Sequence, residues 1–224
     1  AGFYYKTFKW PKSFWHKVYE PFIRKAAGFG IASLEKDKER YEHKYEYCDL
    51  LVTGSGPAGL SSAYAAAKNG AKVILAEDKP RFGGSLLTDD VTIDNLSGKA
   101  WTDKIITQLK EMPNVIVKNR SQVFGYYDHN MTVMIEKTGD HLKDKPKYVP
   151  RQRLWYIRAK EVILSTGSIE RPIVFGNNDT PGVFLSVAAK EYIKVYGVLV
   201  GKKPLIFTNN DSGYETALEF KKHG

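Results

Sequence analysis

Cysteine is almost absent from this chain of 224 residues. Its one thiol, Cys48, excludes an internal disulfide and any cysteine-based metal centre. Placed directly before an apolar strand, Cys48 reads as a small buried residue and not as a reactive thiol. The 5 histidines show no ligand spacing, so no metal site is expected. No apolar run approaches the roughly 20 residues that a membrane span requires. No apolar h-region marks a signal peptide, which makes the cytoplasm the default expectation. Short-period repeats and low-complexity tracts are missing. Acidic residues are the scarcer charge, 25 against 34 lysines and arginines, leaving a formal charge of +9. That excess invites acidic partners, yet it is spread along the chain without a DNA-reading motif or an RNA-binding aromatic signature.

What the chain does contain is an apolar strand, Asp49 to Thr53, that runs into Gly54-Ser55-Gly56-Pro57-Ala58-Gly59. A small-residue helix follows from Leu60 to Lys68, and a second apolar strand, Lys72 to Ala76, ends in Glu77. This is the layout of a dinucleotide-binding βαβ unit. Gly54 permits the turn out of the strand, Gly56 lets a pyrophosphate approach the backbone, and Gly59 lets the helix pack closely. The helix N-terminus offers unpaired N–H groups and a positive dipole end. Glu77 stands where a ribose 2′-OH would donate to it.

Around this unit the pattern is mixed. Residues 1–25 form a basic-aromatic arm, with Trp10, Phe14, Trp15, Tyr19 and Phe22 set between lysines and arginines. Two readings compete: stacking on single-stranded nucleic acid, or burial against its own domain or a partner subunit. Burial is the expectation, because so many rings rarely stay exposed. Glu35 to Glu46 reads as a solvated helix or linker. After Arg81-Phe82-Gly83-Gly84-Ser85, a helix is expected over Trp101–Glu111, a strand over Asn114–Val117, and strands within Val123–Glu136 around the turn Asp128-His129-Asn130. Residues 137–150 form a loop. Two strands, Arg153–Ala159 and Glu161–Leu164, lead to Ser165-Thr166-Gly167. A helix over Pro181–Tyr196, a strand over Lys203–Thr208 and a helix over Tyr214–Lys222 complete the chain. The fold class is α/β: a Rossmann-like FAD/NAD(P)-binding βαβ domain with a β-rich insertion at 115–160, then the start of a second nucleotide-binding domain. The expected organisation is an arm and linker (1–47), a dinucleotide-binding domain (48–180) and a truncated, degenerate second domain (181–224).

The glycine motif, Glu77, Arg81-x-Gly83-Gly84 and Ser165-Thr166-Gly167 together resemble the two-dinucleotide-binding-domain flavoproteins, the glutathione-reductase-like group. Longer stretches narrow this. Gly2-Phe3-Tyr4-Tyr5-Lys6-Thr7-Phe8, Phe124-Gly125-Tyr126-Tyr127-Asp128-His129-Asn130, Ile169-Glu170-Arg171-Pro172 and Phe207-Thr208-Asn209-Asn210-Asp211-Ser212 resemble the α subunit of heterotetrameric sarcosine oxidase. The resemblance implies oxidative demethylation of sarcosine to glycine, one-carbon transfer to tetrahydrofolate and production of hydrogen peroxide. It implies amine oxidation at FAD in a β subunit, FMN at the α–β interface, and NAD⁺ held in this subunit without hydride transfer. Carried over by position, Gly54, Ser55, Gly56, Pro57, Ala58 and Gly59 would cradle the phosphates. Glu77 and Asp78 would meet the adenosine ribose, Val123 the adenine, and Gly83, Gly84, Ser85, Thr166 and Gly167 would line the site. No residue here is expected to be catalytic. The ferredoxin-like and folate-binding regions of that family lie outside these residues.

The second motif is degenerate, because Thr208-Asn209-Asn210-Asp211-Ser212-Gly213 would crowd and repel a pyrophosphate. The alternatives are a flavin-dependent reductase holding FAD at the first motif, and a nucleic-acid module acting through the arm. His129 reads as a turn residue, Asp89-Asp90 as a solvated pair, and Arg151, Arg153 and Arg158 as residues without an assigned role.

Overall fold

The computed structural model describes residues 10–28, 30 and 33–223, in two units divided after Lys38. In the first unit, helical turns occupy Lys12–Phe14, Trp15–Tyr19 and Glu20–Ala26, the middle stretch wound as a π-helix. None of these residues is buried, and Trp10 and Phe22 are 84% and 72% exposed. The described part of the arm is thus exposed in the chain by itself, which leaves burial against a partner subunit as the remaining form of that expectation. Phe14, Val18 and Phe22 are the exposed large apolar side chains of these turns. The aromatics at positions 3, 4, 5 and 8 lie outside the described residues.

The second unit runs β1 (Tyr41–Thr53), α1 (Pro57–Lys68), β2 (Val73–Ala76), a short hairpin of β3 (Thr92–Ile93) and β4 (Leu96–Ser97), then α2 (Gly98–Glu111) and β5 (Val115–Lys118). It continues through β6 (Ser121–Tyr127), β7 (Met131–Glu136), β8 (Gln152–Leu164), α3 (Ser186–Tyr196) and α4 (Ser212–His223). One sheet has the order β5-β2-β1-β8-β7-β6. β5, β2, β1 and β8 are parallel neighbours, while β7 and β6 add antiparallel. The expected β insertion is thus part of the same sheet, joined to it through the long strands β1 and β8.

Two apolar clusters hold the sheet. Leu50, Val52, Val73 and Leu75 pack with Leu60 of α1 and Leu109 of α2. Cys48, Leu51, Ile74, Met134, Trp155 and Ile157 form the other cluster. Cys48 and Leu51 share a cluster because β1 slips at Asp49-Leu50, where both N–H groups donate to the Lys72 carbonyl at 2.8 and 3.1 Å. β8 slips opposite, so that Ala159 and Val162 both face the second cluster. That slip is why the sequence reads as two strands there, although hydrogen bonding makes one.

Three other elements depart from expectation. β1 starts at Tyr41, inside the charged run taken as linker. Its charges are paired on one side: Glu42 with Arg153 at 3.0 Å, Glu46 with Lys72 at 2.9 Å, and Lys44 over the Trp155 ring at 4.2 Å. Lys203–Thr208 forms no strand, since no described strand lies beside it to complete a ladder, and Leu205 is 96% exposed. Asp89 and Asp90 keep solvent contact as expected but are ion-paired as well. Lys190 of α3 holds Asp89 at 2.9 Å, while Lys194 and Lys222 hold Asp90 at 2.5 and 2.7 Å. The Lys194 and Lys222 hydrogen bonds bring the Asp90 carboxyl down to about 2.

Candidate dinucleotide site

β1 delivers the chain to Gly54 at the carboxyl edge of the parallel strands, where open α/β sheets hold their ligands. Gly54 has a φ of +97°, and a Cβ there would stand 2.3 Å from the Ser165 carbonyl oxygen. A Cβ on Gly59, inside α1, would stand 2.0 Å from the Gly54 carbonyl oxygen and 2.6 Å from Ser165 Oγ. These two glycines let the loop, the helix and the end of β8 touch. Ser165 locks the contact, its hydroxyl donating to the Thr53 and Gly54 carbonyls at 2.9 and 3.2 Å.

Gly56 differs from both. A Cβ there would meet nothing within 4 Å, and its φ of −68° is open to any residue. The space before it lies at the N-terminus of α1, where Pro57 begins the helix and the first N–H groups have no partner within it. Pro57 and Ala58 are exposed at this mouth. The open cradle, the helix end and the absent Cβ fit a pyrophosphate.

Glu77, the residue after β2, is buried at 6% exposure. Its Oε2 accepts from Ser55 N at 2.9 Å and from the Ser55 hydroxyl, and Oε1 accepts from Lys79 N at 2.9 Å. Burial, then the Asp78 carboxyl, push the Glu77 carboxyl above its ordinary value, against the lowering donors Ser55 and Lys79. Asp78 is exposed beside it. Ser55 also accepts from Gly83 N, through its carbonyl at 3.1 Å and its hydroxyl at 3.2 Å. That bond lays the Gly83-Gly84-Ser85 turn against the glycine loop, and a Cβ on Gly84 would come 3.1 Å from Gly56 Cα. Gly83 is buried, whereas Gly84 and Ser85 are exposed.

The backbone joins β6 to the same edge, since Ser121 N donates to the Glu77 carbonyl at 2.8 Å. Val123, two residues on, is half-buried against the second core cluster, so part of its side chain serves packing. Thr166 and Gly167 follow Ser165 into solvent. The structure therefore brings the glycine loop, Glu77, the Gly83-Gly84 turn and the Ser165 end of β8 together, while Val123 lies within β6 and packs on the core. Ser165 was the residue whose role the motif did not reveal, its only signal being its place before Thr-Gly. A cavity of about 350 Å³ touches none of the loop residues and lies instead between Arg81-Phe82, α2 and α3.

At the degenerate motif, Ser212 N donates to Asn210 Oδ1 at 3.1 Å, and a Cβ on Gly213 would come 2.6 Å from Thr208 Cβ. The start of α4 is thus capped by its own asparagine and packed on a threonine, leaving no cradle. Arg151 and Arg153 are engaged with Asp140 and with Glu42 and Glu136 respectively. His129 sits at a φ of 58° in the turn before β7. Among the described residues, no cluster of histidine, cysteine or acidic side chains could hold a metal ion, and no helix is long and apolar enough to cross a membrane.

Comparison with known proteins agrees with this geometry. Residues 49–129 match the FAD dependent oxidoreductase family. Sarcosine oxidase subunit alpha of Rhizobium meliloti (strain 1021) is 46% identical over all 224 residues, which cover 23% of its length. The protein of the same name from Corynebacterium sp. (strain P-1) is 38% identical over 200 residues, 88% of this chain and 21% of that protein. The chain thus spans less than a quarter of these relatives. The crystal structure of L-proline dehydrogenase from P. horikoshii superposes with a TM-score of 0.63 at 23% identity, over 84% of this chain and 36% of that one, and shows the shared fold. The chain is therefore a homologue of one segment of sarcosine oxidase subunit alpha, built on an FAD-type oxidoreductase fold.

Proposed function

We propose that this chain is the dinucleotide-holding segment of a sarcosine oxidase α subunit, working in the cytoplasm. The observation that carries the reading is the open space at Gly56, set between a helix N-terminus and the buried carboxylate of Glu77. The pyrophosphate of NAD⁺ would lie over Gly56, Pro57 and Ala58. Glu77 with Asp78 would meet the adenosine ribose, and the adenine would lie along β6 near Val123. Gly83, Gly84, Ser85, Thr166 and Gly167 would close around the cofactor. When bound, the dinucleotide supplies a nicotinamide ring, but no residue of this cleft is set for acid–base work on an amine. Ser55 and Glu77 are hydrogen-bonded to each other. The chain's own contribution is binding and orientation. Oxidation of sarcosine, one-carbon transfer to tetrahydrofolate and peroxide formation belong to the assembled enzyme, with a β subunit and an interfacial FMN.

A second reading puts FAD at the same loop, and the family match over residues 49–129 favours it. The two share an ADP half, so the same residues serve both. The test is to denature the purified chain and identify the released small molecule. NAD⁺ supports the first reading, while a yellow protein that releases flavin supports the second. If nothing is released, and calorimetry detects no binding of ADP, NAD⁺ or FAD, both readings fall. Sarcosine-dependent peroxide from this chain alone would overturn the division of labour.

A further inference from the structure

The sheet carries a second feature that dinucleotide binding does not use. In the half formed by β1, β8, β7 and β6, alternate residues point to one side. The register sets them in rows. Tyr45, Tyr156 and Val133 make one row, and Tyr47, Arg158, Met131 and Tyr127 make the next. His43, Leu154 and Ile135 form the row before. The rings are stacked, with Tyr45 4.9 Å from Tyr156 and His43 5.8 Å from the same ring. Trp155, Ile157 and Met134, on the opposite side, are buried in the core.

A side of a sheet that is left in water is ordinarily polar. Here it is aromatic and aliphatic, with Tyr45 72% and Tyr47 44% exposed, Tyr156, Leu154, Ile135 and Met131 half-buried and Val133 buried. Its charge is one-sided as well, because the rows contain no carboxylate. Exposed Arg158 makes no ion pair among the described residues. Of the acids at the borders, Asp49 is engaged with Lys160 at 2.8 Å and Asp140 with Arg151 at 2.7 Å, while Asp128 and Glu161 lie beyond the rows themselves.

We infer that this face docks an acidic amphipathic segment of another polypeptide, with apolar side chains on the tyrosine rows and a carboxylate on Arg158. The inference rests on the subunit reading above. Size points to a segment and not to a globular surface. Three rows on four strands outline a patch roughly 15–20 Å on a side. An α-helix of about 12 residues is 18 Å long and covers such a patch. A stable globular interface needs about 800 Å² from each partner, more than the patch offers. Charge argues against a second copy, since face-to-face pairing would join two cationic surfaces on chains of +9 each.

Oxidative footprinting of the tyrosines, in the isolated chain and in the complete assembly, tests the proposal. Tyr45 and Tyr47 should react several-fold more slowly in the assembly. Arg158→Glu should weaken association with the other subunits about tenfold, and Arg158→Lys should restore most of it. Unchanged dinucleotide affinity would show that both variants are folded. A photoreactive phenylalanine analogue in place of Tyr45 should cross-link to an acidic segment of another polypeptide. Equal tyrosine reactivity in both samples, indifference to Arg158→Glu, or cross-links to a second copy would each overturn the inference. If the chain assembles while the face stays reactive, this inference alone fails. If it joins no other polypeptide, the subunit reading fails with it.

Discussion

Alanine at Gly56 and alanine at Gly59 should separate binding from folding, although both glycines belong to one motif. At Gly59 the new Cβ would sit 2.0 Å from the Gly54 carbonyl oxygen and 2.6 Å from Ser165 Oγ. Real Cβ contacts stay beyond 3.0 Å, so α1 would have to retreat by an ångström or more from β1 and β8. Overpacking of this kind costs about 1–3 kcal/mol, at the upper end when the obstacle is backbone. The better helix propensity of alanine returns about 1 kcal/mol. The net expectation is a loss of about 2 kcal/mol, or a melting temperature lower by roughly 4–8 °C for a unit of this size. At Gly56 the added methyl meets no atom within 4 Å and the backbone is already extended, so stability should nearly hold. Gly56 is the N-cap of α1, where alanine is poorer than glycine, so the loss should stay below about 1 kcal/mol, short of that at Gly59. The methyl would instead occupy the space before the helix N-terminus. A pyrophosphate held off the α1 N–H groups should lose affinity at least tenfold, about 1.4 kcal/mol. Urea unfolding and calorimetric titration with ADP, NAD⁺ and FAD measure the two effects on the same proteins. If Gly56→Ala bound as well as wild type, or unfolded as early as Gly59→Ala, the assignment of Gly56 to the ligand would be wrong.

Three further outcomes follow from single contacts. Ser55→Ala removes the hydroxyl that donates to Glu77 and accepts from Gly83 N, and should destabilise by about 1–3 kcal/mol in urea titrations. Glu136 accepts from Lys118 at 2.9 Å, Arg153 at 3.0 Å and Trp155 Nε1 at 2.7 Å. Burial raises its carboxyl, but Lys118, Trp155 and Arg153 outweigh this and hold it below its ordinary value. Glu136→Ala should cost about 2–3 kcal/mol, less than for a fully buried pair because both cations reach solvent. A depressed carboxyl adds stability above its unfolded pKa and loses it as the pH falls through the folded value, so wild type and variant should converge in acid. Asp90 obeys the same sign: its contribution is present above 3.8 and fades as the pH falls through about 2. Asp90→Asn should therefore melt with a shallower acid dependence than wild type, and an identical slope would remove the lysine clamp from the account.

The parallel half of the fold was legible because each of its elements is fully committed to one period. Val73 to Ala76 is buried at every position, and the helix after Gly59 is built of alanines that can lie against a sheet. The site was legible for the same reason, since steric demand leaves glycine alone at Gly54 and Gly59. The half that carries β7 and β6 was harder to read. In Tyr41 to Tyr47, charges alternate with aromatics, so period two was present but carried by Glu42, Lys44 and Glu46, side chains that hydrophobicity counts as exposed. Only the cross-strand partners Arg153, Trp155 and Lys72 explain why charge can line a covered face, and all of them are remote in sequence. Lys203–Thr208 failed in the other direction. Its composition suits a strand, but a strand exists only where a ladder partner stands beside it.

β1 belongs to both halves of the sheet, which makes the relation between the tyrosine face and the glycine loop testable. Tyr45 precedes Gly54 by nine residues of one strand. At about 3.3 Å per residue that is at most roughly 30 Å of strand, and β1 slips between them at Asp49-Leu50. Coupling would have to pass along the strand. A strand transmits displacement only by slipping, and β1 is held in register with β8 from Tyr41↔Gln152 to Thr53↔Leu164. A slip of one residue would turn Cys48 and Leu51 out of the core and Tyr47 into it. The face should therefore position the chain among its partners without adjusting how tightly the loop holds a dinucleotide. Tyr45→Ser is expected to weaken assembly while leaving ADP affinity within twofold of wild type. A variant that lost both together, with its melting temperature unchanged, would show that β1 couples the sites and that the register is softer than its pairing implies.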